Sequence, residues 1–320
     1  MRLLPTAMHP WMDPHRELRL WPHDNSPIYQ AFHRVFDCRG HGWANLQSVH
    51  LNLPFAGDEE FGRLHAAIRL ILPLLPGLAA SSPVMDSRAT GLLDNRLEVY
   101  RTNARRIRSV TGRVIPEPAY SQAEYDRAIF QPMFAEIAPH DPEGVLQDEF
   151  LNARGAIARF SRGAIEIRVL DVQESPEADV AICALIVAVL QLLVRERWTP
   201  IRDQQRAPLE QLEALLLRTI RTAEATALDA ADYLRHFGAG DLVGGTVGDL
   251  WRRLVDLALQ EGVLAGRWSD TCARLLARGT LSRAIAARLP SEPSHSDLHA
   301  TWGHLADSLA TNRLFTGDAT

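Results

Sequence analysis

The stretch Ala164-Ile165-Glu166-Ile167-Arg168-Val169-Leu170-Asp171 decides the fold. Ile165, Ile167 and Val169 point one way and Glu166 and Arg168 the other, the period-2 pattern of a half-buried strand. Asn45–Leu53 repeats the construction, with Val49, Leu51 and Leu53 on one face and Ser48, His50 and Asn52 on the other. Asp148–Arg159 reads as a strand or strand pair in which Asn152 and Arg154 share a face. Three strands of this kind make an antiparallel sheet with one buried and one polar side.

Around these strands the sequence signals helices. Ser26-Pro27 reads as an N-cap with proline at the first helical position, opening Ile28–Phe36. Gly57-Asp58-Glu59-Glu60 opens the next with acids in its first turn, and Pro73 and Pro76 end or kink it. Ser121 and Glu124 stand in capping-box spacing before a helix over Ser121–Ile137. Ser175-Pro176-Glu177 opens the apolar run Ala178–Val194, which is interrupted by Asp179 and Gln191 and reads as a buried core helix, not a membrane span. A short strand is expected at Arg2–Ala7, and an irregular, arginine-rich surface loop from Ser81 to Pro118. Beyond residue 206 only helical periodicity remains. The layout predicts an α+β body over residues 1–205 and an all-helical region over 206–320.

Composition narrows the chemistry. The chain has 320 residues, 46% hydrophobic and 23% charged, as a globular protein does. A net charge of −5 gives no basic footprint for nucleic acid. Cys38, Cys183 and Cys272 form no CxxC pair and an odd count, which argues against a disulfide framework or a zinc ribbon. The opening MRLLPTAMHP lacks the apolar core of a signal peptide, so a cytoplasmic location is expected, without a membrane partner. All 34 basic residues are arginine. Lysine-dependent chemistries are thereby excluded: the P-loop, pyridoxal and Schiff-base enzymes, and the kinase-type site. Any phosphate must be met by arginine, backbone amides or a metal.

The candidate residues follow from the polar strand faces. Glu166 with Arg168 is either an ordinary solvated charge pair or one wall of a site. A second strand presenting Ser48, His50 and Asn52 favours the site, and Asn152, Arg154, Arg159 and Arg162 add to it. Carboxylate with imidazole suits a divalent metal, and arginine forks suit phosphate or carboxylate. His9, in Met8-His9-Pro10-Trp11, is either a pocket residue or a turn histidine packed beside Trp11. His295, His299 and His304 read as a solvated helix face.

Several short motifs occur in order: Ala7-Met8-His9-Pro10, Gln47-Ser48-Val49-His50, Ala79-Ala80-Ser81-Ser82-Pro83, Thr90-Gly91 with Asn95-Arg96, and the Ala164–Asp171 strand. Together, over about residues 3–200, they resemble the bacterial glutamate–cysteine ligase family, most closely its second type, the carboxylate–amine ligases. The resemblance implies a glutamine-synthetase-like fold, a curved and mostly antiparallel sheet with helices outside. It implies ATP- and Mg²⁺-dependent joining of a carboxylate, typically the γ-carboxyl of glutamate, to an amine such as that of cysteine, through an acyl phosphate. By motif position His50 and Glu166 are metal ligands. Arg168 and Arg154 meet the transferred phosphoryl or the substrate, and Asn152, Arg96, Asn52 and His9 are substrate or nucleotide contacts. The partners implied are small molecules, with association of copies left open. The sequence departs from the family at Asp94-Asn95, where members carry a Ser-Ser pair, at Ser48, where many carry His, and at Asn52, which matches the first type. Members also carry a glutamate-bearing strand well ahead of the His-Pro motif, and that strand is not in this sequence. Glu98, Glu117, Asp148 and Glu149 are the acids left to replace its carboxylates. A relative that binds nucleotide or amino acid without turnover is the alternative reading.

Overall fold

The computed structural model describes residues 2–316. Its main sheet has three antiparallel strands: β1 (Ser48–Pro54), β4 (Ala156–Arg159) and β5 (Ala164–Asp171), in the order β1-β5-β4. A two-residue hairpin, β2 (Val84–Met85) with β3 (Arg88–Ala89), stands apart. The expected α+β class holds, with helices filling most of the remaining chain. Burial follows the alternation: Ile165 and Ile167 are fully buried, while His50 and Asn52 are exposed on β1.

The register contains one irregularity. Val49 pairs with Leu170 but Leu51 pairs with Ile167, so β5 carries one residue more than β1 opposite His50. Such a bulge re-aims the side chains beyond it. Asp171 is thereby brought opposite Ser48, in step with the polar face.

Several expectations change. Arg2–Ala7 forms no strand. Ser26 is the first residue of its helix, and the cap is Asn25 in the left-handed region, with no side-chain capping bond. Asp148–Arg159 is strand only from Ala156, so Asn152 and Arg154 are not on a strand face. The segment Ser81–Pro118 is not a surface loop: it holds the hairpin, the helix Asn95–Asn103 and the buried side chains of Ser81, Ser82, Asp94, Asn95 and Arg96. Local periodicity missed it because its buried groups are polar, held by hydrogen bonds and not by an apolar stripe.

The helix Gly57–Ile71 backs the sheet and ends at the prolines, as expected. Pro73 and Pro76 remove two backbone donors there. The carbonyls of Leu70, Pro73 and Leu74 are met instead by side chains of the helical region: Tyr233 Oη at 2.7 Å, Thr219 Oγ1 at 2.7 Å and Trp251 Nε1 at 3.1 Å. Residues on both sides of position 205, from Phe61 and Ile167 to Leu216 and Trp251, share one continuous core. The helix Pro176–Val194 is long and apolar enough to cross a membrane, yet Ala181, Leu185, Ala188 and Val189 are buried against neighbouring helices. A second, smaller core joins Val84 to Ile285, Trp302 and Phe315.

Candidate functional site

Strand alternation brings Glu166 and Arg168 onto the polar face, and the sheet register sets Asn52 opposite Glu166. Glu166 is the hub. His50 Nδ1 lies 3.0 Å and Arg168 Nε 2.9 Å from its Oε1, and Arg159 Nη1 lies 3.5 Å from Oε2. The hydrogen bond from His50 and the charges of Arg168 and Arg159 outweigh burial and hold the Glu166 carboxyl down at about 2. His50 Nε2 is 3.0 Å from Ser48 Oγ, so Ser48 fixes the far side of the ring. Arg159 was not singled out by motif. The signal for it was alternation with Ile157, which pairs with Glu166.

Arg96 reaches the same face from a different element. Asp94 caps the helix Asn95–Asn103 by accepting from Leu97 N at 2.8 Å, and this fixes Arg96 in the first turn. Its guanidinium lies 3.3 Å from Asp171 Oδ1 and donates to the Arg168 carbonyl at 2.6 Å. Asp171 also accepts from Ser81 N and Ser82 Oγ, both at 2.9 Å, and Ser82 Oγ in turn accepts from Arg96 N at 3.0 Å. Asn95 Nδ2 donates to the Ser82 carbonyl at 2.7 Å. The separate Ser81-Ser82, Asn95-Arg96 and Asp171 motifs are therefore one buried network that aims Arg96. Burial raises the carboxyls of both Asp171 and Asp94; at Asp171 the neighbouring Arg96, Ser81 and Ser82 oppose it, and at Asp94 the charge of Asp171 adds to it while Arg96 opposes it.

Asn152 and Arg154 are adjacent but turned inward. Arg154 is 2% exposed and is forked by Glu117, Nε to Oε2 at 2.5 Å and Nη2 to Oε1 at 2.8 Å. Its Nη1 donates to Ser109 O at 3.0 Å and to Asn152 Oδ1 at 3.1 Å. Asn152 is fully buried and donates to Tyr125 Oη at 2.8 Å. His9 lies elsewhere. Its ring packs edge-on to Trp11 at 4.7 Å, and Trp11 in turn meets His295 at 4.7 Å and His299 at 6.3 Å. His9 thus packs beside Trp11, and the exposed His295 and His299 touch the same ring.

The donor set can be tested against a metal. Among the described residues, no three His, Cys, Asp or Glu side chains converge as ligands. Glu98 pairs with Arg101, Glu117 with Arg154, Asp148 caps a short turn, and Glu149 holds Ser161. Mg²⁺ commonly takes one or two protein carboxylates and completes its octahedron from phosphate and water. Glu166 is one such carboxylate, already met by an imidazole and two guanidiniums. This set does not cage a resident Mg²⁺.

Beside the polar face opens a cavity of about 230 Å³. Ser48, His50, Arg96 and Arg168 line one part of it, and Phe32, Trp43, Tyr100 and Phe150 another. The aromatic wall escaped the sequence reading because its members come from four segments without common periodicity.

Comparison with known proteins gives concordant results. The model of glutamate-cysteine ligase family 2 matches residues 1–282. An uncharacterized protein of Archaeoglobus fulgidus is 38% identical over 195 residues, 61% of this chain and 52% of that one. A putative glutamate–cysteine ligase 2 of Bradyrhizobium sp. is 33% identical over 148 residues, 45% of this chain and 31% of that one. The matched region spans about half or less of these curated relatives.

Proposed function

The chain belongs to glutamate-cysteine ligase family 2, and we propose that it carries the catalytic face of an ATP-dependent carboxylate–amine ligase. The observation that carries this reading is the convergence of His50, Glu166, Arg168 and Arg159 on one face of the sheet. The substrate carboxylate oxygen attacks the γ-phosphorus of ATP, the bond to ADP breaks, and an acyl phosphate forms. The amine nitrogen then attacks the acyl carbon, phosphate leaves with the bonding pair, and the amine loses a proton to water. Such transfers need positioning and charge neutralisation more than a covalent group. Arg168 and Arg159 supply fixed positive charge where phosphoryl oxygens gather, which suits a chain without lysine. His50 and Glu166 would stand nearest the cation of MgATP, which would supply charge neutralisation at the phosphates. Asn52, exposed beside Glu166, contacts the nucleotide. Arg154 and Asn152 act from behind, holding the segment whose Asn152 carbonyl accepts from Arg168 Nη1 at 3.3 Å. Glutamate and cysteine are the substrates suggested by family membership, in a cytoplasmic reaction with small-molecule partners and a place in glutathione synthesis.

A direct assay supplies MgATP, a carboxylic acid and hydroxylamine, which traps an acyl phosphate as the hydroxamate. ADP release that requires the acid is expected. Glu166→Gln and Arg168→Ala are each expected to lower it at least 100-fold with the far-UV circular dichroism unchanged. Undiminished turnover in both variants would overturn the assignment. A second reading, binding without turnover, is favoured because, among the described residues, no second carboxylate joins Glu166 and His50 as a ligand group. It predicts MgATP binding by calorimetry with no ADP release for any acid.

A further inference from the structure

The 230 Å³ cavity has a chemical asymmetry that bears on the acid substrate. Its charged groups are Arg96 and Arg168; no aspartate or glutamate lines it. Arg168 is half-buried, donates Nη1 to the Asn152 carbonyl, and holds Nε 2.9 Å from Glu166 Oε1 as an ion pair without a hydrogen bond. Arg96 is 2% exposed, with Nε buried and lacking a hydrogen-bond partner. An unmet guanidinium N–H in a buried site favours an acceptor, most strongly an anionic one.

The remainder of the wall is mostly apolar, four aromatic rings beside Leu46, Val110 and Leu151, with Asn103 and Thr111 among its polar members. Phe32 and Trp43 stand 5.3 Å apart, Phe32 and Phe150 6.3 Å, and Phe36 stacks behind Trp43 at 5.7 Å. Size sets a further limit. A cavity of about 150 Å³ suffices for benzene, whereas sites for larger ligands run from about 300 Å³ upward. This cavity therefore has room for one ring with a short acid arm. An α-ammonium would find no carboxylate on the wall. Aromatic faces attract cations only weakly, and the carboxylates nearest the cavity, Glu166 and Asp171, are already paired with Arg168 and Arg96.

We propose that this cavity selects a monocarboxylate with a single-ring aromatic or similarly sized apolar body, its head on Arg168 and Arg96 and its body against Trp43 and Phe32. It discriminates against free amino acids, and so departs from glutamate, the acid that family membership suggests. The inference rests on the ligase reading only in calling this ligand the acid substrate.

Calorimetry on the full chain, with 3-phenylpropionate, L-phenylalanine and L-glutamate as probes, tests it. 3-Phenylpropionate is expected to bind at least tenfold tighter than L-glutamate and fivefold tighter than L-phenylalanine, which differs from it by the ammonium. Trp43→Ala is expected to weaken 3-phenylpropionate at least tenfold. Trp43→Phe, which keeps a ring in place, recovers most of that loss and guards against a folding defect. Equal or tighter binding of L-glutamate, indifference to Trp43→Ala in a folded variant, or no binding of any probe would each overturn the proposal. The two readings fail separately. Selective binding without acid-dependent ADP release removes the ligase and keeps the pocket; glutamate-dependent ADP release with reversed selectivity removes the pocket and keeps the ligase.

Discussion

Glu166 and Asp171 lie five positions apart on one strand, and their surroundings push their carboxyls in opposite directions. Glu166 meets an imidazole and two guanidiniums and falls to about 2. Asp171 is fully enclosed, and burial raises it although Arg96, Ser81 and Ser82 pull the other way. A carboxyl lowered on folding adds stability above its unfolded value, which is lost as pH falls through the folded value. The stability that Glu166 contributes is thus full above about pH 4.5 and disappears toward about pH 2. Glu166→Gln is expected to flatten the fall of Tm across that window relative to the parent chain; identical acid limbs would contradict the ion-pair geometry. Asp171→Ala acts by another route, stranding the buried Arg96 guanidinium. Loss of one partner of a buried pair costs about 3–5 kcal/mol, a deficit that urea denaturation would register. Glu166 and Arg168 were legible as residues because alternation alone placed them. Asp171 was not, since its place depends on a bulge, and the inward turn of Arg154 depends on Glu117, 37 positions away.

At the scale of elements, the strand β5 and the helix starts were readable, and the packing between them was not. Ser175 and Ser121 cap helices as their spacing predicts, accepting from Ala178 N and Glu124 N. The bulge in β5 leaves no trace in Ala164–Asp171 itself, whose alternation runs unbroken through Val169. Its support comes from outside, at Gly155. The Arg168 N–H donates to the Gly155 carbonyl at 2.8 Å, and Gly155 N donates to Val114 O at 2.7 Å. A Cβ at this position would stand 2.7 Å from Val169 Cγ1 and 2.9 Å from Val114 Cγ1. Gly155→Ala must therefore displace Val169 on β5 or the segment that carries Val114. Overpacking of this kind costs about 1–3 kcal/mol, and the displaced backbone is the one that carries Arg168. The expected result is a lowered Tm together with a loss of acid-dependent ADP release larger than the stability loss explains. An unchanged Tm would show that Val169 has room the contacts do not reveal.

On the scale of the whole chain, the change of character near residue 206 is a change of secondary structure and not of core. The stretch that joins the sheet-bearing part to the helices is fastened from both sides. Arg69 Nη2 donates to Ala207 O at 3.3 Å, Tyr120 Oη to Gln205 O at 2.5 Å, and Gln204 Nε2 to Leu193 O at 2.8 Å. The helix Pro176–Val194 buries Leu185 and Val189 among helices that lie before and after that point. Composition could not disclose this, because a linker rich in Arg, Asp and Gln looks the same free or fastened. Two consequences follow. Limited proteolysis should spare Asp203–Pro208 while the chain is folded, and release of a stable fragment ending there would refute the shared core. Tyr233→Phe removes the donor to the Leu70 carbonyl, a buried group whose loss of partner costs about 1–3 kcal/mol. If the core is one cooperative unit, hydrogen exchange in the slow regime must report that cost twice. Peptides covering Ala164–Asp171, which contain no part of the altered contact, should lose as much protection as peptides covering Val247–Gln260. Loss confined to the helical peptides would mean that the sheet and its site hold together without the helices, and that the carbonyls at Leu70 to Leu74 are a seam between two units.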